Sequence, residues 1–339
     1  LAPARNIDSR IRGQLSLGRS SSEKPFDLNV QAGGASVIAT GELPEEGFMP
    51  ESANLQVDIP DVARFYKLPE GYQLGGVEID GQIKSADETS FTGTAAVSSV
   101  STPQGRAKAV SGPLTLTLNE SRNVADFQTE ISATGVVMSA EIPLDLKPTV
   151  KLTAKGQYNL ESKTLQLSSS KLLSGQDTAT ASGRLSTDPL TYSLSGRANL
   201  ALKAVGTLPS GQLTADYKAV QNKNALPALT ADGRFVPSGE LEEPIASLVG
   251  SMALFDVNAS PIEGGIEVSR GTVSGDGFQA AFSGRVTEDI NMDLEASLKQ
   301  AVTFKSVTLA EGTDVSGSIT GRRDSPNIRL DASAPELTA

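Results

Sequence analysis

The chain has 339 residues, enough for one large or two ordinary domains with a sizeable core. Hydrophobic residues make up 38% but aromatics only 4%, with no Trp, so an apolar interior has to be built from Leu, Val, Ile and Ala. His and Cys are absent and the formal charge is -11, which excludes imidazole and thiol catalysis, disulfides, Cys/His zinc sites and, without a Lys/Arg cluster, a nucleic-acid partner.

Alternation begins at the N-terminus. Ile7, Ser9, Ile11, Gly13, Leu15 and Leu17 share one parity against Asp8, Arg10, Arg12 and Gln14, the period-two pattern of a half-buried strand. Phe26, Leu28, Val30 and Ala32 follow, then the Gly33-Gly34 turn and Ala35, Val37, Ala39, Gly41 and Leu43. Residues 44–54 read as a loop, and Leu55, Val57 and Ile59 as the next strand. Near 61–68 the period changes. Asp61 is placed as an N-cap, and Val62, Phe65 and Leu68 recur at three, which predicts one or two helical turns. Val77, Ile79, Gly81 and Ile83, then Phe91, Gly93, Ala95 and Val97, return to strands.

The alternation is strongest from Leu114 onward. Leu114, Leu116 and Leu118 are followed by Phe127 to Ala133, by Ile142, Leu144 and Leu146, by Val150, Leu152, Ala154, Gly156 and Tyr158, and by Leu165 and Leu167. It continues through Leu190 to Leu202, Leu213 to Tyr217 and Leu229 to Phe235. Connections this short imply antiparallel neighbours. The acidic, Pro-bearing residues 237–247 are predicted to be a linker between β-repeats over 1–236 and further repeats over 248–339. Beyond them lie Ile266 and Val268, Phe278, Ala280, Phe282, Gly284 and Val286, and Ile290, Met292, Leu294, Ala296 and Leu298. Val302 to Ser333 reads as strand, Gly-bearing turn, strand with a central Gly, charged turn over Arg322 to Pro326, and strand.

A small motif punctuates these strands: a mid-strand Gly, a polar residue, an apolar one. It occurs at Gly13, Gly41, Gly81, Gly156, Gly183, Gly233, Gly284 and Gly317. The spacing is irregular, so this is a quasi-repeat, and Gly inside strands is retained where a sheet bends or is approached closely.

Three stretches carry a family resemblance. Leu55 to Ser85, Pro244 to Val286 and Val302 to Ser333 are similar to the strand, short helix, Gly-opened strand units of the AsmA-like superfamily of bridge-type lipid transfer proteins. They most closely resemble the TamB family, the large periplasmic subunits of the bacterial translocation and assembly module. The resemblance implies a periplasmic protein, anchored in the inner membrane by a segment not present here, whose trough holds phospholipid acyl chains. It also implies an outer-membrane barrel partner of the TamA type, contacted outside this segment.

The expected fold is therefore all-β: an elongated, curled antiparallel sheet, a β-taco with an open hydrophobic trough, and one or two very short helices. The trough-lining residues are expected to be Leu114, Leu116, Leu118, Ile142, Leu144, Leu146, Val150, Leu152, Leu200, Leu202, Phe278, Phe282, Ile290, Met292, Leu294 and Ile319. The rival is a surface or secreted adhesin, a β-sandwich or β-solenoid whose apolar face is a closed core. Scarce aromatics and no Trp weigh against it. No cofactor, metal or catalytic group is expected. Ser21 to Lys24 and Ser168 to Lys171 match S-x-x-K without its companion motifs, and the acidic loops at Asp276 and Glu288-Asp289 lack a calcium-loop pattern. The chain starts at Leu1 with neither a secretory apolar region nor an 18-residue apolar run, and reads as an excised or processed segment.

Overall fold

Alternating strands joined by short turns satisfy their backbone groups most simply by pairing each with the one before, and the long strands of each unit do this. The structure, a computed structural model, describes residues 2–3, 11–18, 24–44, 50–68, 70–85, 88–139, 142–187, 189–204, 209–223, 227–239, 241–304, 307–334 and 337–338. Ile7 and Ser9 of the first predicted strand, and Ser21 to Glu23, lie outside them. The chain divides into two compact units, one of Leu1–Ile142 with Leu146–Asp177, the other of Pro143–Asp145 with Thr178–Ala339.

The first unit is an antiparallel meander of β1 (Ile11–Leu17), β2 (Lys24–Ala32), β3 (Ala35–Leu43), β4 (Ser52–Ile59), β5 (Val77–Ser85), β6 (Thr89–Val97), β7 (Ala109–Leu118), β8 (Val124–Thr134), β9 (Thr149–Asn159) and β10 (Thr164–Ser174). Each pairs with its successor. The second unit repeats the plan with β11 (Asp177–Thr187), β12 (Leu190–Leu202), β13 (Gly211–Gln221), β14 (Ala228–Pro237), β15 (Ala253–Ile262), β16 (Gly265–Ser274), β17 (Phe278–Val286), β18 (Asp289–Leu298), β19 (Asp314–Arg322) and β20 (Ser325–Ser333).

The sheet curls without closing, as expected of an open trough. Among the described residues β1 pairs only with β2 and β20 only with β19, and both strands are exposed at every position, unlike a barrel's seam strands.

In a meander the connections alternate between two rims, and here the rims differ. On one rim of the first unit lie the compact turns at 119–123 and 160–163. The other carries a 3₁₀ turn, Val62–Arg64, and a small sheet of Gln73–Leu74, Val100–Thr102, Gly105–Ala107 and Val137–Met138. In the second unit the corresponding rim carries α1 (Ile245–Val249) and a three-stranded sheet of Val302–Phe304, Val307–Leu309 and Leu337–Thr338.

The departures from plain alternation gather at these rims. The helix predicted near 61–68 is the single 3₁₀ turn; Asp61 caps it by accepting from the Ala63 amide at 3.1 Å, and Tyr66–Lys67 is already extended. Pro60 and Pro69 bracket the segment, and the residue before a proline is pushed out of helical space. The segment 237–247 connects β14 to β15, which pair directly within the second unit. It leads into α1, whose end at Gly250 takes φ 66°, where any side chain would also meet Asp276. Ile142, Leu144 and Leu146 do not form a strand; Leu144 makes one isolated bridge to Leu202. Val302–Phe304 and Val307–Leu309 pair with each other in the rim sheet, outside the long ladder.

Candidate functional site: the continuous apolar face

The register of the ladders shows what the alternation builds. Across the first unit one cross-strand row runs Leu17, Phe26, Gly41, Ala53, Ile83, Phe91, Leu116, Phe127, Gly156 and Leu167. A second runs Leu15, Leu28, Ala39, Leu55, Gly81, Gly93, Leu114, Thr129 and Ala154. In the second unit the equivalent rows are Gly196, Tyr217, Ala231, Val257, Gly271, Phe282, Leu294, Gly317 and Leu330, and Leu194, Ala219, Leu229, Ala259, Val268, Gly284, Met292, Ile319 and Ile328. Within each unit these rows form one unbroken apolar face.

Bulges keep the rows in step. In β16 the register shifts between Val268 and Gly271, and in β10 it shifts opposite Lys155/Gly156. Strict alternation would turn Gly271, Val273 and Leu172 outward; the extra residues return them to the apolar face. These positions were not identified by periodicity, because a bulge changes parity without an apolar signature.

The glycines fit into the rows as hollows. A side chain at Gly156 would lie 2.9 Å from the Phe127 ring on the neighbouring strand, and one at Gly93 2.7 Å from Phe91. The scarce aromatics therefore lie across bare backbone, which brings strands close and smooths the face.

The opposite face is polar and wet. Gln56 donates to Asp80 at 2.9 Å, Gln157 to Asp126 at 2.9 Å, and Arg285 pairs with Glu267 at 2.8 Å, each across a strand boundary.

Of the predicted lining residues, Leu114, Leu116, Leu118, Val150, Leu152, Leu200, Leu202, Phe278, Phe282, Ile290, Met292 and Leu294, with Ile319, all lie on ladder strands; Val150 is buried and the rest are half-buried. Ile142, Leu144 and Leu146 are half-buried in a connection instead. There the Asp145 amide donates to the Ala201 carbonyl at 3.0 Å, the Lys203 amide to Pro143 at 2.9 Å, and Lys203 pairs with Asp145 at 3.5 Å.

Little of this face is sealed. Among the described residues nine apolar ones are buried, including Ala53, Val150, Val268 and Ala280, while Ile328 and Leu330 at the β20 edge are 58% and 53% exposed. A compact 35.2 kDa monomer is expected to expose about 13,000 Å². This chain exposes 21431 Å². Among the described residues no cluster of three or more acidic side chains could hold a metal, and Ser168 and Lys171 lie within a strand.

No family model and no curated protein matches this chain. The face itself has a definite chemistry: aliphatic side chains, a few Phe rings and bare glycine backbone, with hydroxyls in these rows only at Thr129 and Tyr217. Such a surface distinguishes apolar from polar matter and little else.

Proposed function

We propose that the chain is a non-catalytic, lipid-handling scaffold whose curled sheets cradle phospholipid acyl chains. One observation carries the reading: each unit presents rows of mainly apolar residues that continue from strand to strand and are for the most part only half-buried or exposed, in a sheet that does not close. An apolar face of that extent, left in water, opposes folding. Occupied by acyl chains it becomes favourable, since each buried methylene contributes about 0.8 kcal/mol and a tail of a dozen carbons about 10 kcal/mol. Leu, Val, Ile and Ala suffice for that. The resemblance to AsmA-like and TamB-type proteins supports the same reading and extends it: a periplasmic bridge between inner and outer membranes that supports outer-membrane biogenesis. The membrane anchor and the contact with an outer-membrane barrel of the TamA type then belong to segments beyond this one. The adhesin alternative requires a closed core, and the exposed rows do not favour it.

Native mass spectrometry of the purified chain, followed by lipid extraction, tests this directly; co-purified phospholipid is expected. The site is tested by photocrosslinking to an acyl-diazirine phospholipid. Leu116→Asp and Leu294→Asp should each reduce labelling of their own unit, whereas Thr115→Asp on the polar face should not. Equal labelling of all three variants and the unaltered chain rejects the reading.

A further inference from the structure

The rim of the first unit holds a cavity whose chemistry is opposite to that of the apolar face. Arg12, Gln31 and Ser36 form one cross-strand row on the polar side of β1, β2 and β3. Their neighbours in sequence, Ile11, Ala32 and Ala35, form the last row of the apolar side, so the two faces meet at the rim turn Gly33-Gly34. That turn takes φ values of 59° and 91°, which glycine adopts without strain, and it presents bare backbone.

Arg64, the last residue of the 3₁₀ turn, reaches over this rim and donates from Nη1 to the Gly33 carbonyl at 3.4 Å. Its Nε pairs with Asp61 at 3.2 Å, which fixes the guanidinium and leaves Nη2 for another acceptor. With Arg12, Gln31, Ser36 and the two glycines, it lines an open cavity of about 510 Å³. No acidic side chain is in that lining. The nearest acid along the row, Asp58, stands one strand further on, in register with Ser36. Among the described residues Arg12 has no carboxylate partner. Two guanidinium groups, one of them paired with Asp61 and the other without a carboxylate partner among the described residues, therefore line one cavity with a hydroxyl and a primary amide.

We infer that this cavity binds a phosphate oxyanion, and that the oxyanion belongs to the headgroup of a lipid whose acyl chain enters the apolar face past Ile11, Ala32 and Ala35. Guanidinium groups match phosphate in shape and charge and bind it through paired N–H donors. The volume admits a phosphate ester together with its glycerol. The choice of source rests on the lipid-cradle reading; the oxyanion site does not.

Calorimetric titration of the whole chain separates the two. The probes are dodecyl phosphate, monododecanoylglycerol and inorganic phosphate, used below any micelle concentration. Arg12 sits on an exposed edge strand, so Arg12→Gln leaves folding intact. It is expected to weaken dodecyl phosphate about tenfold, the loss typical of one charge-assisted pair, with no change for monododecanoylglycerol. Arg64→Gln should act in the same direction, and Arg323→Gln in the second unit should not. An Arg12-independent affinity for both phosphate probes overturns the inference while leaving acyl binding untouched. Arg12-dependent binding of inorganic phosphate, with no gain from the dodecyl chain and no binding of monododecanoylglycerol, upholds the oxyanion site and rejects its lipid source.

Discussion

Tyr217 shows how much a single side chain does in a sheet with few large residues. Its ring lies opposite Gly196 on β12, and its hydroxyl donates to the Thr180 carbonyl on β11 at 2.8 Å. The β11–β12 pairing is interrupted between Ala179 and Ser182, where the Thr180 hydroxyl instead accepts from the Arg197 amide at 3.1 Å. Tyr217 thus satisfies a carbonyl that the ladder leaves free. Burial raises its phenol above the ordinary 10.0. With the folded value above the unfolded one, the neutral phenol stabilises the fold fully below pH 10, and this contribution is lost as pH rises through the folded value. Tyr217→Phe should cost about 1 kcal/mol in urea unfolding at pH 8, and the gap from the parent should shrink above pH 10. A gap that widens with alkali contradicts the assignment. Gly156 makes the complementary case. Gly156→Ala forces the Phe127 ring and the Gln166 carbonyl aside and should destabilise by about 1–3 kcal/mol, although the position needs no unusual φ. The sequence marked these glycines through their repeated context; which ring lies over which glycine depends on register, which no single strand encodes.

At the scale of elements, what was legible was whatever repeats every second residue. The alternation from Leu114 to Leu118 and from Phe278 to Leu298 fixed both the strand and its inward side. It failed where an irregularity intervened. Val273 and Leu172 went unidentified because bulges reverse parity, and Ile142 to Leu146 mimicked a strand inside a connection. Helix α1, five residues long, is too short for a period of 3.6 to show. The polar face holds a feature that alternation alone does not reveal: Asp216, Asp232 and Asp256 stand directly opposite one another on β13, β14 and β15. Arg197 approaches the end of this row, 4.0 Å from Asp216. Like charges in directly opposed positions repel. Asp232→Asn should therefore stabilise the second unit by about 0.2–1 kcal/mol at low ionic strength, and the gain should fade in 1 M salt. An undiminished gain at high salt points to some cause other than repulsion.

For the molecule as a whole, the unclosed apolar faces set the terms of stability. Each strand is held mainly by its two ladder neighbours, so protection against hydrogen exchange should follow position in the ladder and not a single global opening. β1 and β20, each with one partner among the described residues and exposure at every position, should exchange first; β7 to β9 and β16 to β18 should exchange last. Acyl ligands should change this order in a specific way. A ligand that binds only the folded sheet stabilises it by RT ln(1 + [L]/Kd), about 2.7 kcal/mol at a hundredfold excess over Kd. If tails lie along the cross-strand rows, one ligand spans several strands and couples them. Loading with a soluble lysophospholipid should slow exchange across contiguous blocks of strands, with the largest effect at amides beside Leu116, Phe127, Leu152, Phe282 and Leu294, and little at the short-turn rim. Exchange measured with and without lipid distinguishes this from detergent-like adsorption, which would slow exchange at the exposed edges Ile11–Leu17 and Ser325–Ser333 and leave the middle of each ladder unchanged.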